Sequence, residues 1–538
     1  MVSAKMIAAI LLTLAVSCIA QEHQHAISEK LGTVHLATSC NEEAQKEFDR
    51  AAALLHSFQF SRAIQGFNAV LGEDAKCGFA YWGIALSDWS NPFALGMKDK
   101  SQLEAGRESA ERGKTVGAKT ERERAYLAAV AKLYSDYENT PQRARLIAYR
   151  DSMQAVAGKY PEDHEAQIFY ALALAASEDP ADKTYAGRLK AGAILEQLFE
   201  EEPMHPGLAH YIIHTYDVPA LAGRALEAAR RYSEIAPDAP HALHMPSHTF
   251  TRTGYWQESI DSNIAAAAAA RREGQTAEEL HASDYEIYAY LQTGRDEAAR
   301  RVLDSLPEIA SRFDPKTVIS GAAAPSAGYF ALAAIPARYA LERQDWKQAT
   351  QLSPRETPFP YTDAITWFAR GLGAARLGQA SAANESATAL QQIRERLLKA
   401  DENYWARQVE IQELAVRAWA AFTESKKEEA LRQMNSAAEL EDGTEKSAVT
   451  PGPLAPAREL LGEMFLEMKE PAHALEQFKA TLTKEPERFR ALYGAAHAAQ
   501  LSGSPEASQR YFGELLEACG HADKPGRAEI LEAQRALH

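Results

Sequence analysis

The sequence predicts an all-α fold, a solenoid of stacked helical hairpins, and three observations lead to it. Apolar residues recur at helical spacing in segments of about 12–16 residues broken by Gly, Pro or Asp, and nowhere do polar and apolar residues alternate long enough for a sheet. These segments come in pairs. A period of 34 residues separates Pro203 from Pro237, and three residues after each comes another proline, Pro206 and Pro240, that opens a new helix.

The chain begins with a segment outside the fold. Lys5 precedes an apolar run from Met6 to Val16 and small residues up to Ala20, which reads as a signal peptide over 1–20 and a periplasmic or secreted mature chain. Ala15-Val16-Ser17-Cys18 lies close to a lipoprotein box, which makes Cys18 a candidate lipid anchor. No later segment offers about 18 uninterrupted apolar residues, so no transmembrane segment is expected.

Residues 21–40 read as an N-terminal linker and 41–300 as a first helical array. Residues 301–329 read as a loop or linker, because Asp314-Pro315 and Gly321 to Pro325 interrupt the pattern. A second array follows over 330–522, and 523–538 is a tail or capping helix. In the first array Gly254-Tyr255-Trp256 forms a tight turn and Ser259 is the small residue where two helices cross. Pro246 falls inside a predicted helix and should kink or delay it. In the second array Pro456 to Glu467 and Phe489 to Leu501 are helices, with Ala474 at a crossing.

Of 538 residues, 46% are hydrophobic and 25% charged, enough to bury a continuous core. The formal net charge is -16, from 74 acidic and 58 basic residues, with no basic stripe. That balance argues against a nucleic-acid partner and suits a cationic metal or a basic peptide. The four cysteines are Cys18, Cys40, Cys77 and Cys519. Cys40 and Cys77 sit near the starts of two successive repeats, which stacking brings together, so a disulfide is the first expectation. A metal site combining these cysteines with His35 and His56 is the competing reading.

The period, the glycine-aromatic turn, the small crossing residue and the closing prolines Pro203, Pro237 and Pro486 resemble the tetratricopeptide repeat (TPR). The resemblance covers the chain from about Asn41 to Ala522. It is strongest over 164–300 and 453–520. The whole chain is also similar to a group of exported bacterial TPR proteins of uncharacterised function. The shared strings are Leu55-His56-Ser57-Phe58, Tyr81-Trp82-Gly83-Ile84-Ala85, His205-Pro206-Gly207-Leu208-Ala209-His210, His241-Ala242-Leu243-His244-Met245-Pro246-Ser247-His248 and Val449-Thr450-Pro451-Gly452-Pro453. The resemblance implies a right-handed solenoid whose first helices line a concave groove. It implies no activity.

Histidines gather in one part of the array. Seven of the chain's 16 fall between His205 and His281: His205, His210, His214, His241, His244, His248 and His281. His244 follows His210 by 34 residues and His248 follows His214 by the same 34, so the pairs are equivalent in neighbouring repeats. Within each pair a spacing of four puts both imidazoles on one helix face. In the family's register His241 and His281 are second residues, His210, His244 and Asp284 fifth, and His214, His248 and Tyr288 ninth, with Asp217 and Arg252 at the groove edge. All are expected to face the groove.

Neighbouring helices about 8–10 Å apart let imidazoles from both share one metal at about 2.0–2.1 Å. A nitrogen-rich set with Asp217 or Asp284 suits Zn, Cu, Fe or Ni, and Met245 offers a soft ligand. Three readings stay open. The cluster holds a metal or charged ligand; it floors a groove for a peptide of an exported protein partner; or it is a packing network. Catalysis lacks a motif: His210 and His214 enclose Tyr211-Ile212-Ile213 with no adjacent glutamate to act as base, and neither a nucleophile elbow nor a phosphate loop occurs.

Overall fold

A computed structural model describes residues 29–94, 98–316 and 321–537. The expected signal peptide, Cys18, His23 and His25 lie outside the described residues. Among those described, regular secondary structure is helical throughout, and no helix is long and apolar enough to cross a membrane. The helices pair with their neighbours as hairpins that stack in sequence, a helical-hairpin solenoid. The hairpins that matter below are Glu42–His56 with Phe60–Glu73, His164–Ala176 with Ala186–Glu201, and Pro206–Thr215 with Leu226–Ile235. Next come Pro240–His244 and Pro246–Thr253 against Trp256–Arg272, then Thr276–Gln292 with Asp296–Arg312.

Local signals explain these boundaries. Pro206 and Pro240 each stand at the first position of a helix, where the missing N–H costs nothing. Gly254 ends the helix Pro246–Thr253 at φ 78, a backbone setting that a side chain would strain. Ser259 and Ala474 are fully buried, as the crossing positions require. Pro246 divides its helix in two. Having no N–H to return a bond to Ala242, it splits the run at Met245 into Pro240–His244 and Pro246–Thr253. Cys40 and Cys77 form a disulfide. His35 lies apart from it, paired with Asp49 at 2.8 Å.

Two boundaries differ from expectation, and at 523–538 the capping-helix alternative is the one found. Residues 29–40 are not a free linker: Leu31, Val34 and Leu36 are buried, and the Thr33 N–H donates to the Met204 carbonyl. The break expected at 301–329 is much narrower, because the helix Asp296–Arg312 runs into it and another starts at Pro325. One hydrophobic cluster joins Trp256 and Ile260 to Ala331, Ile335 and Tyr339, so packing is continuous across the proposed division. The C-terminal stretch contains the helix Ala528–Leu537, with Ile530 and Ala533 buried against the preceding hairpin.

The solenoid also closes on itself. Trp256 Nε1 donates to the Glu487 carbonyl, the Phe489 N–H to Gln292 Oε1, and the Asp523 N–H to the Gly294 carbonyl. The connection 443–456, between the helices Lys427–Asp442 and Ala457–Glu467, returns to the histidine-bearing helices, where Lys446 Nζ binds Asp217 at 3.3 Å. There the Tyr285 hydroxyl donates to the carbonyls of Ala448 and Thr450, each at 3.0 Å. Arg338 binds Thr450 Oγ1 at 2.7 Å and the Gly452 carbonyl at 3.1 Å.

Candidate metal centre

The histidines expected to face an open groove are enclosed. His210, His214, His241, His244, His248 and His281 are between 0% and 6% exposed. Phe58 and Phe93 cover one end, and the connection 443–456 covers the other. Phe58 packs its ring 4.3 Å from His210 and holds φ 54, a setting uncommon for a bulky residue that costs about 1–3 kcal/mol. Phe93 stacks on His214 at 4.4 Å.

The six side chains fall into two triads. His210, His214 and His241 can bring one nitrogen each to within 4.8 Å of one another, and so can His244, His248 and His281. Each triad takes residues from two consecutive repeats. They adjoin: His214 and His248 ring centroids are 6.0 Å apart, as are those of His241 and His244.

Hydrogen bonds decide which nitrogens remain available. His210 Nδ1 donates to the His56 carbonyl at 2.6 Å, leaving Nε2 as a lone pair with no partner. Asn263 Nδ2 donates to the Ser259 carbonyl, so its Oδ1 accepts from His244 Nδ1 at 2.7 Å. Asp217 can only accept, and takes the His248 Nδ1–H at 3.0 Å. His244 Nε2 and His248 Nε2 therefore both carry lone pairs, and they face each other at 3.1 Å. His214 Nε2, both nitrogens of His241 and His281 Nδ1 are also buried without a partner.

Burial disfavours imidazolium at His210, His214, His244, His248 and His281. It holds His248 down to about 4 and His281 to about 3, and it sets His210, His214 and His244 well below the ordinary range, helped by neighbouring imidazoles. Neutral imidazoles with bare, converging nitrogens are what a transition metal binds. An N–H donated to a carbonyl, an amide oxygen or a carboxylate fixes the ring for the metal on its other nitrogen.

Other expected residues take different roles. His205 is not in either triad; its Nε2 donates to Glu165 Oε1 at 2.9 Å, and its Nδ1 accepts from the Leu208 N–H. His56 Nε2 donates to Glu165 Oε2 at 2.9 Å, and its Nδ1 accepts from the Tyr211 hydroxyl. Burial opposes the charge on Glu165, yet His56 and His205 hold its carboxyl well below the usual range. Asp284 is unavailable as a ligand, because Arg338 Nε binds it at 2.7 Å in a fully buried ion pair. Tyr288 accepts from Arg488, away from the cluster. Asp217 supports His248 while also binding Arg252 Nε at 3.0 Å and Lys446 Nζ at 3.3 Å.

Several participants escaped the sequence reading. Tyr285 packs on His244 at 4.9 Å and His248 at 4.8 Å. Its signal was present, since it follows His281 by the same four residues that separate the histidine pairs. Asn263 carried a fainter one, a polar residue on the buried stripe of Ile260 and Ala266. Glu278, 3.8 Å from His241 Nδ1 and beyond hydrogen-bond reach, had none. Met245 is buried and lines, with His214, His241, His248 and His281, a cleft of about 540 Å³ including its open mouth.

No protein-family model matches the chain, and no curated protein does. Solved structures similar to it include the human IFIT1 dimer with m7Gppp-AAAA, at 12% identity over 89% of this chain and 96% of that one, TM-score 0.36. Another is the APC/C hetero-tetramer Cut9-Hcn1, at 15% identity over 92% and 90% of the two chains, with the same TM-score of 0.36.

Proposed function

We propose that this helical-repeat scaffold is a transition-metal-binding protein whose histidine triads are the metal ligands. The observation that carries the reading is the contact between His244 Nε2 and His248 Nε2 at 3.1 Å, with both Nδ1 atoms already donating. Two bare lone pairs repel at that distance. Two imidazole nitrogens on one tetrahedral metal at 2.0–2.1 Å stand about 3.3 Å apart. The orphaned nitrogens of His210, His214, His241 and His281 strengthen the case, since each buried polar atom without a partner costs about 1–3 kcal/mol. An all-imidazole set fits Zn, Cu, Fe or Ni.

The reading of an open peptide groove has less support at this place, because the connection 443–456 already lies there and uses its carbonyls on Tyr285. The Cys40–Cys77 disulfide supports export to an oxidising compartment, periplasmic or extracellular. Intact mass of protein recovered after export tests cleavage after Ala20 against lipidation of Cys18.

Plasma mass spectrometry on exported, untagged protein tests the metal. A near-stoichiometric transition metal is expected. It should be lost when His210, His214, His244 and His248 are all replaced by Ala, with helical circular dichroism retained. No bound metal, and no uptake of zinc, copper, iron or nickel by the wild-type chain, overturns the reading.

A further inference from the structure

The two triads meet the needs of two ions better than those of one. Each gathers three imidazole nitrogens within 4.8 Å, and no histidine belongs to both. Three protein nitrogens leave an open position on a tetrahedral metal, the arrangement of sites that bind an exogenous ligand. The open side is shared. His214 and His241 of the first triad and His248 and His281 of the second all line the same cleft, whose other walls include Phe93, Ala322, Ala323, Ala327 and Val449. Asn91, Met245, Ser326, Tyr361 and Ser447 also line the cleft, and its open mouth gives a small molecule access to the positions that the imidazoles leave free.

Resting on the metal reading above, we propose that the protein holds two transition-metal ions, one per triad, which face a common cleft and bind one small exogenous anion between them. Paired ions of this kind clamp a single small ligand from both sides. Support for each ion comes from different parts of the chain. The His56 carbonyl fixes His210 in the first triad, while Asn263 and Asp217 fix His244 and His248 in the second. The two ions are therefore separately removable.

The test uses the full exported chain, stripped with a chelator and reloaded with cobalt(II) or copper(II) alone. Ions per chain are counted after gel filtration. The expected result is two in wild type and one in each of two variants, His210→Ala with His214→Ala, and His244→Ala with His281→Ala. Azide added to the copper-loaded wild type should bind at one per two ions and should bind more weakly, by tenfold or more, in either one-ion variant. One ion in wild type, lost in both variants, overturns the two-ion arrangement while leaving a shared metal site standing. No ion in wild type removes the metal reading itself. Two ions that each bind their own azide refute the common cleft. The wild-type counts need no variant to fold.

Discussion

Two groups of buried histidines lie within one stretch of this solenoid, and they differ in one respect. Around Glu165 every nitrogen is used: His56 and His205 each give one N–H to the carboxylate, and each accepts a bond on the other nitrogen. In the neighbouring triads His210, His244 and His248 are anchored through Nδ1, while Nε2 of His210 and His214, both nitrogens of His241 and Nδ1 of His281 have no partner. The same residue type thus makes a finished network in one place and an unfinished shell in the other. A count of histidines, or even their proximity, does not separate these cases; an account of each nitrogen does. His56, Glu165 and His205 are close enough to hold an ion, yet their hydrogen bonds are complete without one.

This contrast breaks most sharply at Glu165. Glu165→Ala leaves two buried imidazoles without their acceptor and should cost about 3–5 kcal/mol in denaturant unfolding, with metal per chain unchanged. If the variant loses metal at full stability, the finished network is part of the centre. Opening the Cys40–Cys77 bridge, which spans 37 residues, should cost about 3–4 kcal/mol in the chain-entropy model, again without touching the metal. Thermal melts of Cys40→Ser with Cys77→Ser check this.

Changes to the anchors of the triads should do the reverse. Asp217→Asn and Asn263→Ala act through His248 and His244, and each should weaken metal affinity by about 10–100-fold. Competition against a chromophoric chelator measures the loss. Retained affinity would show that the Nδ1 partners do not set the ligand nitrogens.

The last difference is the response to acid. His248 and His281 titrate in the folded chain near 4 and 3, below the ordinary histidine value of 6.5, because burial favours their neutral forms. Their contribution is therefore complete above about pH 6.5 and is lost as pH falls toward the folded values. Metal-free protein should lose about 1.4 kcal/mol per pH unit for each such histidine over that interval. Metal-loaded protein should begin its decline at lower pH, since the ion competes with protons for the same nitrogens. Urea titrations at pH 7, 6 and 5, with and without metal, measure the difference.

The sequence by itself determined the helical hairpins, the caps at Pro206 and Pro240, the split at Pro246 and the shared face of His210, His214, His244 and His248. Those follow from spacing within one or two repeats, where helix geometry leaves little freedom. Only the tertiary structure decided which histidines finish their hydrogen bonds. His205 is claimed by Glu165, 40 residues earlier, and Asp284 by Arg338, 54 residues later. Likewise, the histidine columns expected to face a groove are covered because the connection 443–456 returns to Tyr285, more than 160 residues away in sequence. Periodicity tells a side chain which way to point. The partner waiting there is set by how the whole superhelix closes, and burial then makes each pairing decisive.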